Sequence, residues 1–218
     1  MIDVKHQISR VNRATGGADR ATGGATGGDG EYRVLTISQV YDTDLEDLWD
    51  VVTTPERIAR WFLPIAGELR EGGKYQFEGQ AGGTITRCAA PREFAATWEF
   101  GEQVSWITVR LTPEGDERTR FELEHTAPVD DHWERFGPGA VGIGWDMGLI
   151  GLSLYVADPT AAKDPAAVMA WTTSEDGKLF MRLSGDAWAE ADIAAGAEPE
   201  KARAQAANTY AAYTGAEA

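Results

Sequence analysis

Few side chains in this 218-residue sequence are of a type that does chemistry, and their spacing narrows the field further. His125 follows Phe121 and Leu123 at strand period, so its imidazole shares their apolar face. A histidine so placed is a hydrogen-bonded core member, a polar anchor for a bound ligand, or a general acid or base. Asp146 is the only charge in the apolar run from Gly139 to Ala157. An isolated buried carboxylate is costly, so Asp146 is expected to anchor a helix through buried hydrogen bonds, with proton transfer as the alternative. His125 and Asp146 are therefore weak catalytic candidates, and no catalytic residue is assigned. Ser153 has no base within sequence reach and no G-x-S-x-G context, which leaves nucleophilic hydrolysis unsupported. Cys88 is the one cysteine, so neither an internal disulfide nor a thiolate cluster can form. It lies in the strand-like run Thr84-Ile85-Thr86-Arg87-Cys88 without an adjacent base and is expected as a small buried core residue. His132 stands beside Asp130 and Asp131 in a polar stretch, but with no H-E-x-x-H and no ligand pair at helical spacing no metal is expected. His6 lies in the N-terminal segment and carries no argument. No cofactor is expected either: the Gly-rich segment 14–30 has no strand before it and no Lys-Ser/Thr after it, so it fits neither a dinucleotide fingerprint nor a P-loop.

Charge excludes several partners. There are 20 Lys and Arg against 35 Asp and Glu, a formal −15. Residues 1–31 balance, whereas 32–157 and 158–218 are both acidic, so nucleic acid and anionic membrane surfaces would be repelled. An acidic surface serves solubility, or draws a basic partner. The first nine residues hold charges and no apolar run of signal-peptide length, which points to a cytoplasmic protein.

The elements that must position these residues follow from period and punctuation. Residues 14–30 read ATGGADRATGGATGGDG, with almost nothing to bury against the ordering entropy, so residues 1–31 are expected as a disordered tail. Tyr32 to Tyr41 is β-branched and aromatic and reads as a strand. Thr43-Asp44-Leu45-Glu46 has the form of a capping box before a helix with Leu45, Leu48, Trp49 and Val52 on one stripe. Pro55 opens a second short helix whose inner face is Ile58, Trp61 and Phe62. Residues 65–126 read as short antiparallel strands separated by turn signals. Phe94, Ala96, Trp98 and Phe100 share one face, as do Ile107, Val109 and Leu111 on the next strand.

The run from Gly139 to Ala157 is apolar on every side and long enough to span a bilayer, but Asp146 at its centre and flanks without basic clusters favour a buried helix lying on the sheet. Its glycines at 139, 142, 144, 148 and 151 each cost about 1 kcal/mol relative to alanine in a helix. That cost is offset by close approach of the helix to a neighbour or by space left for a ligand. Trp145, Leu149 and Leu152 share one helix face, and Ile143, Met147 and Ile150 another. The last sixty residues are alanine-rich and helical: 165–171, 178–195 and 199–213.

Several segments together resemble a known family: Thr54-Pro55-Glu56-Arg57-Ile58-Ala59-Arg60-Trp61, the Gly72-Gly73 turn, the strand ending at Trp98, and Phe136-Gly137-Pro138-Gly139-Ala140-Val141-Gly142-Ile143-Gly144-Trp145-Asp146. They are similar to bacterial members of the SRPBCC (START-like, Bet v 1-like) superfamily, in the group named for the activator of heat shock protein 90 ATPase. The likeness covers residues 33–157. It implies an α+β helix-grip fold, with a curved antiparallel sheet wrapped around a long C-terminal helix, over a cavity for apolar small molecules. The extra C-terminal helices lie outside that fold. Three units are expected: a disordered tail (1–31), the helix-grip domain (32–157) and a helical extension (158–218).

The leading expectation is a cytoplasmic module that binds an apolar or aromatic small molecule, contacted by Trp61, Phe77, Trp98, His125, Trp145, Met147 and Leu149, with the question of turnover left open. An enzyme of polyketide cyclase or aromatase type is the alternative, with His125 or Asp146 moving a proton, and a co-chaperone-like interaction module is a third. A protein partner or a homodimer stays open.

Overall fold

The computed structural model describes residues 2–18, 31–162 and 164–215. Order begins well before Tyr32. Helix α1 (Val4–Arg10) is capped by Asp3, whose carboxylate accepts from His6 N, and strand β1 (Asn12–Ala18) pairs antiparallel with β2 (Tyr32–Tyr41). The expected tail is thus corrected over residues 4–18, while residues 19–30 lie outside the described residues. Two kinds of interaction offset the ordering entropy there. Val4, Gln7 and Val11 are buried, and the Ala-Thr-Gly-Gly backbone, with little side chain to offer, adds its hydrogen bonds to the edge of a sheet.

Helices α2 (Leu45–Thr53) and α3 (Pro55–Trp61) follow β2. The first is capped one residue later than the capping box implies: Asp44 accepts from Asp47 N, and Thr43 Oγ1 donates to the Asp47 carboxylate. The meander then runs through β3 (Ile65–Gly67), β4 (Lys74–Phe77), β5 (Gly82–Ala89), β6 (Glu93–Phe100), β7 (Gln103–Pro113) and β8 (Thr119–Pro128). All eight strands form one curved antiparallel sheet in the order β1-β2-β8-β7-β6-β5-β4-β3. The alternation predicted for β6, β7 and β8 holds: Ala96, Ile107, Val109, Leu111, Phe121 and Leu123 are buried on the inner face. Phe100, at the β6–β7 turn, is exposed instead.

A short helix α4 (Asp131–Phe136) leads into α5 (Gly139–Ala157), the long apolar helix, which lies on the concave face of the sheet. It is long and apolar enough to cross a membrane, but here it packs inside the fold. Its sheet side carries Leu149 and Leu152, in one core with Leu35, Ile37, Val109 and Leu123. Its other side carries Ile143 and Ile150, packed on Phe180 and Met181 of α7 (Glu175–Ala194). Helices α6 (Pro165–Thr173) and α8 (Pro199–Thr214) flank α7. The C-terminal helices therefore form a backing layer to α5; Trp188 of α7 is fully buried in the same core as Leu35.

The glycines of α5 serve both purposes expected of them. A Cβ on Gly142 would lie 2.3 Å from the Trp188 ring, and one on Gly151 would lie 2.1 Å from the Trp61 carbonyl oxygen. These are close approaches that only glycine permits. Gly148 instead lines the cavity between the helix and the sheet, where a Cβ would meet Phe62 in ordinary contact at 3.5 Å.

Candidate functional site

Between the inner face of the sheet, α2–α3 and α5 lies a cavity of about 240 Å³. The sheet contributes the aromatic rings Tyr75, Phe77, Phe94 and Trp98 with the aliphatic Ile107, Val109 and Leu123; the short helices contribute Trp49, Ile58 and Trp61, followed by Phe62; α5 contributes Trp145, Gly148 and Leu149. Strand period on the sheet and a four-residue helical step on α5 turn these residues the same way. The rings brace one another: Phe62 stacks on Trp145 at 6.1 Å, Trp98 packs on Trp145 at 4.9 Å, and Phe77 meets Phe62 edge-on at 5.1 Å.

Among the described residues, the lining includes no Asp, Glu, Lys, Arg or His. Several of its polar groups are paired within the protein. Tyr75 Oη donates to the Thr97 carbonyl, Thr53 Oγ1 to the Trp49 carbonyl, Trp61 Nε1 to the Val51 carbonyl, and Trp145 Nε1 to His125 Nδ1. Burial, with Glu99 nearby, pushes the Tyr75 phenol far above its ordinary range, so it stays neutral. The mouth is marked by the exposed lining residues Cys88 and Ala90, opposite half-buried Trp49 and Thr53. Cys88 is thus corrected from buried core to exposed rim. The expectation rested on residue type and the strand-like run; that run is β5, and the strand is exposed from residue 86 to its end at 89, a stretch that begins at a register irregularity between Ile85 and Arg87.

Of the residues expected to contact a ligand, Trp61, Phe77, Trp98, Trp145 and Leu149 come together in the wall. His125 does not line the cavity. It sits behind Trp98 and Trp145, 2% exposed, with ring centroids 6.4 and 5.8 Å from theirs. An indole nitrogen only donates, so His125 Nδ1 is the acceptor from Trp145 at 2.9 Å. The proton is then on Nε2, which donates to Ser105 Oγ at 2.8 Å, and the Ser105 hydroxyl donates in turn to the Trp98 carbonyl at 3.0 Å. Desolvation lowers the His125 pKa from 6.5 to about 4, so the ring is neutral at pH 7. Met147 lies on the opposite side of α5, packed among Val4, Phe180 and Met181, because its step around the helix turns it from the sheet toward α7.

Asp146 faces away from the cavity as well. Its carboxylate accepts from Arg13 Nε (3.0 Å) and Nη2 (2.6 Å), from Ser184 Oγ (2.6 Å) and from Trp188 Nε1 (2.9 Å). The pair is almost completely enclosed, with side-chain exposures of 5% for Arg13 and 1% for Asp146. This is a structural anchor joining β1, α5 and α7. Sequence reasoning missed Arg13, Ser184 and Trp188. The lone carboxylate in an apolar helix demands such partners, but nothing in the sequence says which of the distant donors supplies them. The sequence reading also left out Trp49, Tyr75 and Phe94 from the wall, although Trp49 and Phe94 were on faces visible in the period.

The family described as activator of Hsp90 ATPase homolog 1-like protein matches residues 42–157, more than half of the chain. The chain belongs to that family. This agrees with the resemblance carried by the Thr54–Trp61 and Phe136–Asp146 segments and with the SRPBCC-type helix grip. CalU16 from Micromonospora echinospora is similar over nearly its whole length: its crystal structure shares 31% identity at a TM-score of 0.62, covering 83% of this chain and 97% of that one. Its solution structure gives 32% identity and a TM-score of 0.66, covering 85% and 97%. Because that alignment takes in most of this chain, the likeness extends beyond the residues that the family description matches. DynU16, described as a putative protein in the dynemicin biosynthetic locus, shares the fold at 17% identity and a TM-score of 0.51, over 58% of this chain and 48% of that one. Comparison with the curated proteins finds no match.

Proposed function

We propose that the protein binds an uncharged, largely aromatic small molecule in the cavity between the sheet and α5. The observation that carries this reading is the wall itself: about 240 Å³ lined by aromatic and aliphatic side chains, with none of the five charged or basic residue types among the described lining residues. An apolar cavity of about 150 Å³ accepts benzene, so this one suits a molecule of two or three rings. A charged group would enter without a partner, and burying an unpaired charge is prohibitive. Neither His125, which is held behind the wall, nor Asp146, which is committed to Arg13, reaches the space, and this supports binding rather than turnover. A reducing, cytoplasmic setting belongs to the same proposal and fits an exposed, unpaired Cys88.

The test compares two probes with one ring skeleton, N-phenylnaphthylamine and its sulfonated analogue anilinonaphthalene sulfonate. The neutral probe should bind at one site, at least about tenfold more tightly than the anion, with energy transfer from the wall tryptophans. No saturable binding of the neutral probe would refute the proposal, and equal binding of both would refute the exclusion of charge.

A further inference from the structure

Trp145 is the wall residue on which α5 and the sheet meet, and a side chain from the sheet holds its only polar atom. The connections form a closed loop. Trp145 on α5 donates to His125 on β8; His125 donates to Ser105 on β7; Ser105 donates to the carbonyl of Trp98 on β6. The Trp98 ring then returns to Trp145 at 4.9 Å. Three neighbouring strands and the helix thus fix two of the wall's indole rings against each other.

We infer that His125 is a positioning residue that sets the shape of the cavity, and hence which ligands fit, by holding the Trp145 indole in place without touching the ligand. The inference rests on the binding reading for its functional meaning, but its structural content is independent of it. An apolar residue at 125 would fill the same buried space, leave the Trp145 N–H without its acceptor and deprive Ser105 Oγ of the donor it accepts from, while Ser105 keeps its bond to the Trp98 carbonyl. The indole would then turn to find an acceptor, and the wall would change. The position requires an acceptor on one side and a donor on the other. A neutral histidine with Nδ1 bare and Nε2 protonated meets that requirement, and so does a glutamine, whose amide carries both functions.

The experiment compares His125→Leu, His125→Gln and Trp145→Phe, together with His125→Leu in the Trp145→Phe background. The first readout needs no ligand: hydrogen exchange of the Trp145 indole N–H in protein labelled with nitrogen-15 at tryptophan. Exchange should be slow in the wild type and in His125→Gln and fast in His125→Leu. The second readout is affinity for N-phenylnaphthylamine. His125→Leu should change it roughly tenfold, His125→Gln by less than about twofold, and His125→Leu should have no further effect once Trp145 is phenylalanine. Slow indole exchange in His125→Leu, or additive effects in the double variant, would overturn the inference. If His125→Leu does not fold, fast exchange in His125→Gln would overturn it, and slow exchange would sustain it. A wild type that binds no probe refutes the binding proposal alone, because the exchange comparison still reports whether His125 holds Trp145.

Discussion

Replacing Arg13 by methionine keeps a long side chain and removes the only cation bonded to Asp146 among the described residues. Asp146 is 1% exposed and accepts four hydrogen bonds, two of them from Arg13. After the substitution Ser184 and Trp188 still donate, but the carboxylate is left buried and unbalanced. Breaking a buried ion pair in this way costs about 3–5 kcal/mol. Arg13 Nη1 also donates to the Ile8 and Val11 carbonyls, so those contacts between α1 and β1 go with it. Against a total stability of about 5–15 kcal/mol for a domain, the loss is large. Asp146→Asn in the Arg13→Met background removes the stranded charge while keeping an oxygen for Ser184 and Trp188, and should recover part of the loss. Urea unfolding at pH 7, followed by far-UV circular dichroism, measures each step, provided that the slope with urea is unchanged. An Arg13→Met protein within about 0.5 kcal/mol of the wild type, as for an ordinary surface site, would refute the argument that residues 4–18 are part of the core.

Gly142 and Gly148, both on α5, should respond with opposite signs. Gly142→Ala pushes a methyl to 2.3 Å from the enclosed Trp188 ring and should cost about 1–3 kcal/mol, while Gly148→Ala meets Phe62 at an ordinary 3.5 Å and should gain up to about 1 kcal/mol from helix propensity; thermal unfolding measures both. For His125, the folded pKa of about 4 lies below the ordinary 6.5, so the unfolded chain takes up the proton first. Its contribution is complete above pH 6.5 and is lost as the pH falls toward 4, by up to about 3 kcal/mol; His125→Gln should lack this component, and parallel pH–stability curves for the two proteins would contradict it. Cys88, exposed on the rim, should react fully with a maleimide in the native state, and a bulky label there should weaken N-phenylnaphthylamine binding; protection of the thiol would contradict its place at the mouth.

What was legible in the sequence is what local period encodes. The β6, β7 and β8 faces, the inner stripes of α2 and α3, and α5 as a buried helix all follow from spacing over a few residues. Five wall residues were identifiable for that reason. Failures occurred where a partner is remote or a local pattern does not reveal exposure. Arg13 and Asp146 are 133 residues apart, and the apolar-poor segment around Arg13 gives no local sign of order. Its strand exists because β2 offers an edge, a tertiary fact that side-chain composition does not carry. Cys88 was misplaced because a strand-like run does not reveal that the end of its strand is exposed, and Met147 because an all-apolar helix does not reveal which side faces the sheet. For His125 the sequence indicated the correct face and left its role open; only the positions of Trp145 and Ser105 show that its two nitrogens are already engaged.

The central claim is that the cavity is a binding site, and Gly148→Leu addresses it most directly. The side chain would project into the space beside Phe62 from a helix position that tolerates a Cβ. Calorimetric titration of the wild type and Gly148→Leu with N-phenylnaphthylamine should give a single site in the first and at least about tenfold weaker binding in the second, with folding stability retained. Equal affinity in the two proteins would place the probe elsewhere and contradict the account.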